Sequence, residues 1–309
     1  MSSSAAPRIL DTPRCVWPAA AQLGEGTCWS VREQALYWVD ILGWRLHRYG
    51  SAGGAKQSWS FDSCVSAVAE RASGPGLVLA LHRSLALFDP LTGTLQRTAD
   101  AVGEPESNRF NDGKCDREGR FWIGSMDFDC KAPSGALHCY EVPTGGAFEA
   151  GTWTRVLDAG FPVTNGPTWS LDGRTLYFTD TLRAEIHAFD VDPVAPQLGR
   201  QRLWLRLDPR EGMPDGMTAD ARGRIWIARW GGAKVTCHEP ATGRELAHID
   251  FPTSNITNVA FGGSRLDRLF VTSARIGLSE HQLAEQPMAG GLFEVATDAE
   301  GVPAARFGR

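Results

Sequence analysis

The sequence predicts an all-β protein, a six-bladed β-propeller with four-stranded antiparallel blades around a central channel. Three observations predict it: one segment type recurs along the chain, short apolar runs follow at blade-like intervals, and no long stretch carries a helical apolar stripe. Each recurring segment has a Gly- or Asn-rich turn, a short polar stretch, and then a strand with an aromatic or aliphatic pair.

In chain order the segments are GEGTCWSVREQALYWVD from Gly24, a weaker copy CVSAVAERASGPGLVLAL from Cys64, and NDGKCDREGRFWIGS from Asn111. NGPTWSLDGRTLYFTD from Asn165, PDGMTADARGRIWIAR from Pro214 and NVAFGGSRLDRLFVTS from Asn258 complete the series. A further apolar run follows each, ending at Tyr49, Phe88, Tyr140, Phe189, His238 and Val295, at intervals of 39 to 57 residues. Propeller blades repeat about every 40 to 50 residues, so six runs imply six blades. The D-G, G-R and T-G turns between short strands indicate antiparallel hairpins.

A propeller ring must close, and Arg14-Cys15-Val16-Trp17 is placed to add a strand to the last blade. The expected organisation is a flexible N-terminal tail over residues 1–12 and one propeller over 13–309. A closed propeller exceeds the usual domain length, so 309 residues need not mean two domains.

Composition narrows the function classes. Hydrophobic residues at 42% and charged residues at 22% belong to a globular chain with a real core. The net charge is -5 and the basic residues are scattered, so a phosphate-backbone footprint is lacking and nucleic acid is not an expected partner. No apolar run approaches the roughly 18 residues of a membrane span, and the reading is a cytoplasmic monomer without membrane association. Seven cysteines without a C-x-x-C pair fit neither a disulfide framework nor a zinc ribbon, and read as small buried thiols.

Propeller blades begin beside the channel, so the residues opening each first strand converge although they are distant in sequence. These are Glu25, Asn111 with Asp112, Asn165, Asp215 and Asn258, with an apolar opening only in the second repeat. One N-G or D-G dipeptide is an ordinary turn. Recurrence of carboxylates and amides at one structural position instead suits a hard divalent cation, with room left for water and substrate. Asp112 on its own reads as a turn-stabilising side chain. None of the seven histidines opens a repeat, and G-x-S-x-G, H-E-x-x-H and Gly-Lys phosphate-loop motifs are missing, which weakens serine-hydrolase, zinc-protease and nucleotide-hydrolase readings. Trp38, Trp122 and Trp226 occupy equivalent repeat positions and read as core, whereas Trp17, Trp29 and Trp169 are candidates for the substrate mouth.

The segments LGEG (23–26), NRFNDGKCDREGRFWIGSM (108–126), NGPTWSLDGRTLYFTDT (165–181) and MPDGMTADARGRIWIARWGG (213–232) resemble the signature segments of the gluconolactonase and regucalcin-like (senescence marker protein) family. They fall in the family's order. The resemblance implies one divalent metal ion (Ca, Zn, Mn, Mg or Fe) held by Glu25, Asn165 and Asp215, with substrate contacts from Arg109, Asn111 and Asp129. Asp127 competes with Asp129 for the last role, because that loop varies in length. The implied activity is metal-dependent hydrolysis of a sugar lactone to its aldonic acid, with Asp215 as general base. The alternatives are a metal-binding regulatory propeller without catalysis and a propeller hydrolase of other esters or phosphotriesters.

Overall fold

The computed structural model describes residues 6–192 and 194–308. Six four-stranded antiparallel sheets form the blades, and the only α-helix among the described residues is the short Glu280–Glu285. The innermost strands of blades 1 to 6 are Gly24–Ser30, Val65–Glu70, Asn108–Cys115, Thr164–Trp169, Met213–Ala219 and Ile256–Gly262. In blade 1 the chain then steps outward through Ala35–Asp40, Arg45–Gly50 and Lys56–Ser60. Its two inner strands are buried along their whole length while Lys56–Ser60 is largely exposed. Both faces of an inner strand therefore need apolar partners, which explains continuous runs such as LVLAL in blade 2.

Those partners lie in neighbouring blades. Six apolar clusters fill the six inter-blade contacts, for example Val39 and Leu46 of blade 1 with Leu79 and Phe88 of blade 2. The ring closes where Trp29 and Trp38 of blade 1 pack with Phe270 and Leu292 of blade 6. Trp38, Trp122 and Trp226 are fully buried, as the repeat positions predict. Two blades share a further device: Asp116 accepts from Arg120 Nε (2.6 Å) and Trp122 Nε1 (2.8 Å), and Asp220 accepts from Arg224 Nε (2.6 Å) and Trp226 Nε1 (3.0 Å). The D-x-x-G-R-x-W spacing thus pins the turn after the first strand to the indole of the second by a buried, fully hydrogen-bonded ion pair.

The extra strand is where the sequence places it. Arg14–Trp17 runs antiparallel to Leu292–Ala296 as the fourth strand of blade 6, pairing Cys15 with Phe293. Of the tail expected over residues 1–12, residues 1–5 lie outside the described residues. Arg8 pairs with Asp298 at 2.8 Å, and the Asp11 carboxylate accepts from Ala296 N at 2.7 Å. Arg8 is 79% exposed at its side chain, so its ion pair adds little. Deleting residues 1–17 is expected to lower the melting temperature by roughly 10 °C, because it uncovers an edge strand and part of two cores, and deleting 1–10 by roughly 2 °C. Equal melting temperatures for the two truncations would overturn the closure role.

Candidate active site

Every innermost strand has a register break near its start, between Glu25 and Cys28, Phe110 and Gly113, Asn165 and Thr168, Pro214 and Met217, and Ile256 and Val259 in the five polar blades. A β-bulge adds a residue and re-aims side chains. Here it falls at the residues that open each repeat and brings them together in one half of the channel. Gly26 takes φ 58, a left-handed conformation open to glycine at little cost. Gly216 is required by proximity, since a Cβ there would sit 2.3 Å from Asn258 Nδ2.

Asn258 is held for Glu25. Its Oδ1 accepts from Thr27 Oγ1 (2.8 Å), which leaves Nδ2 to donate to Glu25 Oε2 (2.9 Å), an oxygen that also accepts from Gly26 N (3.1 Å). The Glu25 and Asp215 carboxyl groups are within hydrogen-bonding contact of each other. Asp215 Oδ1 is buried with no hydrogen-bond partner among the described residues.

A second chain of contacts enters from blade 3. Arg109 Nη1 donates to Asn111 Oδ1 (2.7 Å), and Asn111 Nδ2 donates to Asn165 Oδ1 (3.1 Å) and to the Thr164 carbonyl (2.7 Å). Asn165 Nδ2 in turn donates to Thr181 Oγ1 (2.9 Å). The direction of each amide is fixed by these partners, so Asn165 presents its oxygen on the Asn111 side. Arg109 is buried, stands 5.8 Å from the Phe128 ring, and keeps Nε without a partner among the described residues.

The structure thus brings together five of the six residues singled out from the sequence: Glu25, Arg109, Asn111, Asn165 and Asp215, all buried. Asp129 is not among them. It lies on the exposed turn between Phe121–Asp127 and Gly135–Glu141, 63% exposed and paired with Lys131 Nζ at 2.9 Å. Asp127 is occupied in holding that turn, its Oδ2 accepting from Lys131 N (2.8 Å) and Ala132 N (3.2 Å).

Three readings need correction. Asp112 is not a local turn residue: it is buried, and its Oδ2 accepts from Gly166 N, 54 residues away, at 3.1 Å. The mouth role for Trp17, Trp29 and Trp169 also fails. Trp29 stacks on Phe270 at 5.3 Å, and Trp17 packs edge-on against Trp38 on an outer strand. Trp169 lies four residues beyond Asn165, at the far end of its strand. Of the seven free cysteines, Cys130 is exposed rather than buried, in the same turn as Asp129.

Burial and mutual repulsion dominate the electrostatics. Desolvation, followed by the Asp112 charge, pushes the Glu25 carboxyl up to about 8, and desolvation pushes Asp112 up to about 6. Asp215 is raised well above the carboxylate range by burial and then by Glu25 and Asp112. Three carboxyl groups in one buried space favour protonation more than free carboxyls do, and two of them have an oxygen without a partner among the described residues, Asp112 Oδ1 and Asp215 Oδ1. The donor set of carboxylates and amide oxygens fits a hard divalent cation.

A pH prediction follows. A carboxyl with a folded pKa above its unfolded value stabilises the fold while protonated, and that stabilisation is lost as pH rises through the folded pKa. Metal-free protein is expected to lose melting temperature from about pH 5 to pH 8, the span set by Asp112 and Glu25, and saturating calcium to flatten the decline. Thermal melts across that range check it; a flat profile without metal would contradict the clustering of charges.

Fold and site together define a six-bladed propeller with a buried cluster of carboxyl and amide side chains where its innermost strands begin. The chain belongs to the SMP-30/Gluconolactonase/LRE-like region family, whose model matches residues 23–275. It is 33% identical to regucalcin of Danio rerio over 290 residues, covering 94% of this chain and 96% of that one. It is 32% identical to the Bacillus subtilis (strain 168) protein named "Putative sugar lactone lactonase YvrE", covering 91% of this chain and 93% of the relative. Among solved structures it is similar to a calcium-binding protein, regucalcin, of Agrobacterium tumefaciens str. C58, with TM-score 0.88 and 28% identity over 96% of this chain and 99% of that one.

Proposed function

We propose that this protein hydrolyses a sugar lactone to the open-chain aldonic acid, with a divalent cation held by Glu25, Asn165 and Asp215. The observation that carries the reading is the convergence of two unlike sets of groups where the innermost strands begin. Glu25, Asp112 and Asp215 form a buried carboxyl cluster, and beside it Arg109, Asn111 and Asn165 form a donor and acceptor chain. Family membership and the name of the Bacillus relative support the same substrate class.

When bound, the cation supplies Lewis-acid polarisation of the lactone carbonyl and charge stabilisation for the oxyanion. The remaining steps belong to the chain. Arg109, with Nε unengaged, and Asn111 bind and orient substrate hydroxyl and ring oxygens, since a fork of donors beside an amide matches a polyhydroxylated ring. Asp215 Oδ1 takes the proton of the attacking water as the water oxygen bonds to the carbonyl carbon. The ester C–O bond then breaks, and the ring oxygen leaves as a hydroxyl carrying a proton returned from Asp215. Asp129, on its exposed turn, is proposed to meet the distal hydroxyls of a bound sugar.

Substrate class separates this reading from other propeller hydrolases. Gluconolactone or a pentonolactone is expected to turn over at least about 100-fold faster than a phosphotriester under equal cation loading. The reverse ratio would replace the sugar reading.

A further inference from the structure

A buried polar network apart from the carboxyl cluster joins the innermost strand of blade 3 to the turn that carries Phe128 and Asp129. Glu104 lies on the connection from blade 2 into blade 3, and its side chain and that of His138 are fully buried. His138, on the strand Gly135–Glu141, meets Glu104 Oε1 through Nε2 at 2.7 Å and sits edge-on to the rings of Phe110 and Trp153. Asn108 Nδ2 donates to Glu104 Oε2 (2.9 Å) and to the Ser134 carbonyl (3.1 Å), and Asn108 Oδ1 accepts from Ser134 Oγ (2.6 Å). Burial raises the Glu104 carboxyl, but the bonds from His138 and Asn108 outweigh it and hold the group below its ordinary range. The network is built on a carboxylate.

The turn between Asp127 and Gly135 is thereby tied at both ends. At its start Phe128 N donates to Ser107 O (2.8 Å), and at its end Ser134 bonds Asn108 twice. Inside it, Cys130 N donates to Asp127 O (2.9 Å), and Asp127 Oδ2 takes the Lys131 and Ala132 N–H groups. Asn108 immediately precedes Arg109 in the chain, and the exposed Phe128 ring stands 5.8 Å from the Arg109 guanidinium. One side chain, Asn108, thus fixes the turn relative to the strand that carries Arg109 and Asn111.

We propose that Glu104, Asn108 and Ser134 are positioning residues, a latch that holds the Phe128–Ser134 turn closed beside Arg109 before substrate arrives. The latch rests on the hydrogen bonds alone, whereas its role toward substrate rests on the lactonase reading above. A turn already ordered in the free protein need not be ordered on binding, so the latch acts on substrate affinity and not on the chemical step.

Ser134→Ala is the variant of choice, because it removes one bond of the latch and, unlike a change at Glu104 or His138, strands no buried charge. Hydrogen exchange on substrate-free protein should show the Phe128, Cys130, Lys131 and Ala132 amides exchanging about fivefold faster in the variant, the size expected of one lost hydrogen bond. The Ala136 amide, which donates to Ser125 Oγ in the adjoining strand, should keep its rate. KM for the lactone hydrolysed fastest should rise about fivefold with kcat changed by less than about twofold, and Ser134→Thr, which keeps the hydroxyl, should restore both exchange and KM. Turn amides unprotected in the wild type, or unchanged exchange in Ser134→Ala, would overturn the latch. Faster exchange with KM unchanged would overturn its role toward substrate. Absence of lactone turnover by the wild type would remove the lactonase reading, and the exchange rates would still decide whether the latch exists.

Discussion

Asp215→Asn is expected to reduce lactone turnover by at least about 100-fold while the metal-free protein melts no lower than the wild type. The two halves of that result have separate causes. Asp215 Oδ1 has no partner among the described residues, and an amide can still meet the neighbouring Glu25 carboxyl, so asparagine removes the base while keeping the contact between the two side chains. Asp215 also sits against Glu25 and Asp112, and burial with that repulsion raises its pKa, so a neutral side chain relieves a cost of folding. A catalytic loss accompanied by a large fall in melting temperature would mean that Asp215 is structural. Unchanged turnover would remove it from the mechanism.

Glu25→Gln is expected to weaken divalent-cation binding by at least about 100-fold, measured by calorimetry on chelator-stripped protein. Glu25 is buried, Asn258 and Gly26 both donate to its Oε2, and its carboxyl group lies against that of Asp215, so the pair offers a charged oxygen cluster to a cation. Glutamine keeps the shape and loses the charge, and its amide nitrogen can turn against the Asn258 donor. The calcium-dependent rise in melting temperature should vanish with the affinity. If the variant binds calcium as tightly as the wild type, the cation is not held in this pocket.

The ring was legible because its signals are periodic. Six apolar runs at blade-like spacing and the closing segment Arg14–Trp17 survive as six sheets and a fourth strand in blade 6. The pocket was legible for a related reason, since a repeat converts equal positions in sequence into neighbours around an axis. Glu25, Asn111, Asn165 and Asp215 converge because each opens an innermost strand at a bulge.

What escaped was contact not encoded nearby. Asp112 precedes a glycine and reads as a turn, but its partner is Gly166 N in the next blade. Trp29 and Trp169 read as mouth residues from their place in the repeats, but the four residues that separate them from Glu25 and Asn165 carry them toward the opposite end of the innermost strands. Asp127 and Asp129 differ only in the conformation of the turn, where Asp127 accepts from the Lys131 and Ala132 backbone N–H groups while Asp129 pairs with the Lys131 side chain.

The most direct measurement is lactone hydrolysis followed by pH-stat on chelator-stripped protein, with xylono-, arabinono- and gluconolactone, each divalent cation added back in turn. The account predicts acid release well above the spontaneous rate for at least one lactone, present with a cation and absent without. Release no faster than spontaneous hydrolysis with calcium, magnesium, manganese, zinc and iron alike would contradict it.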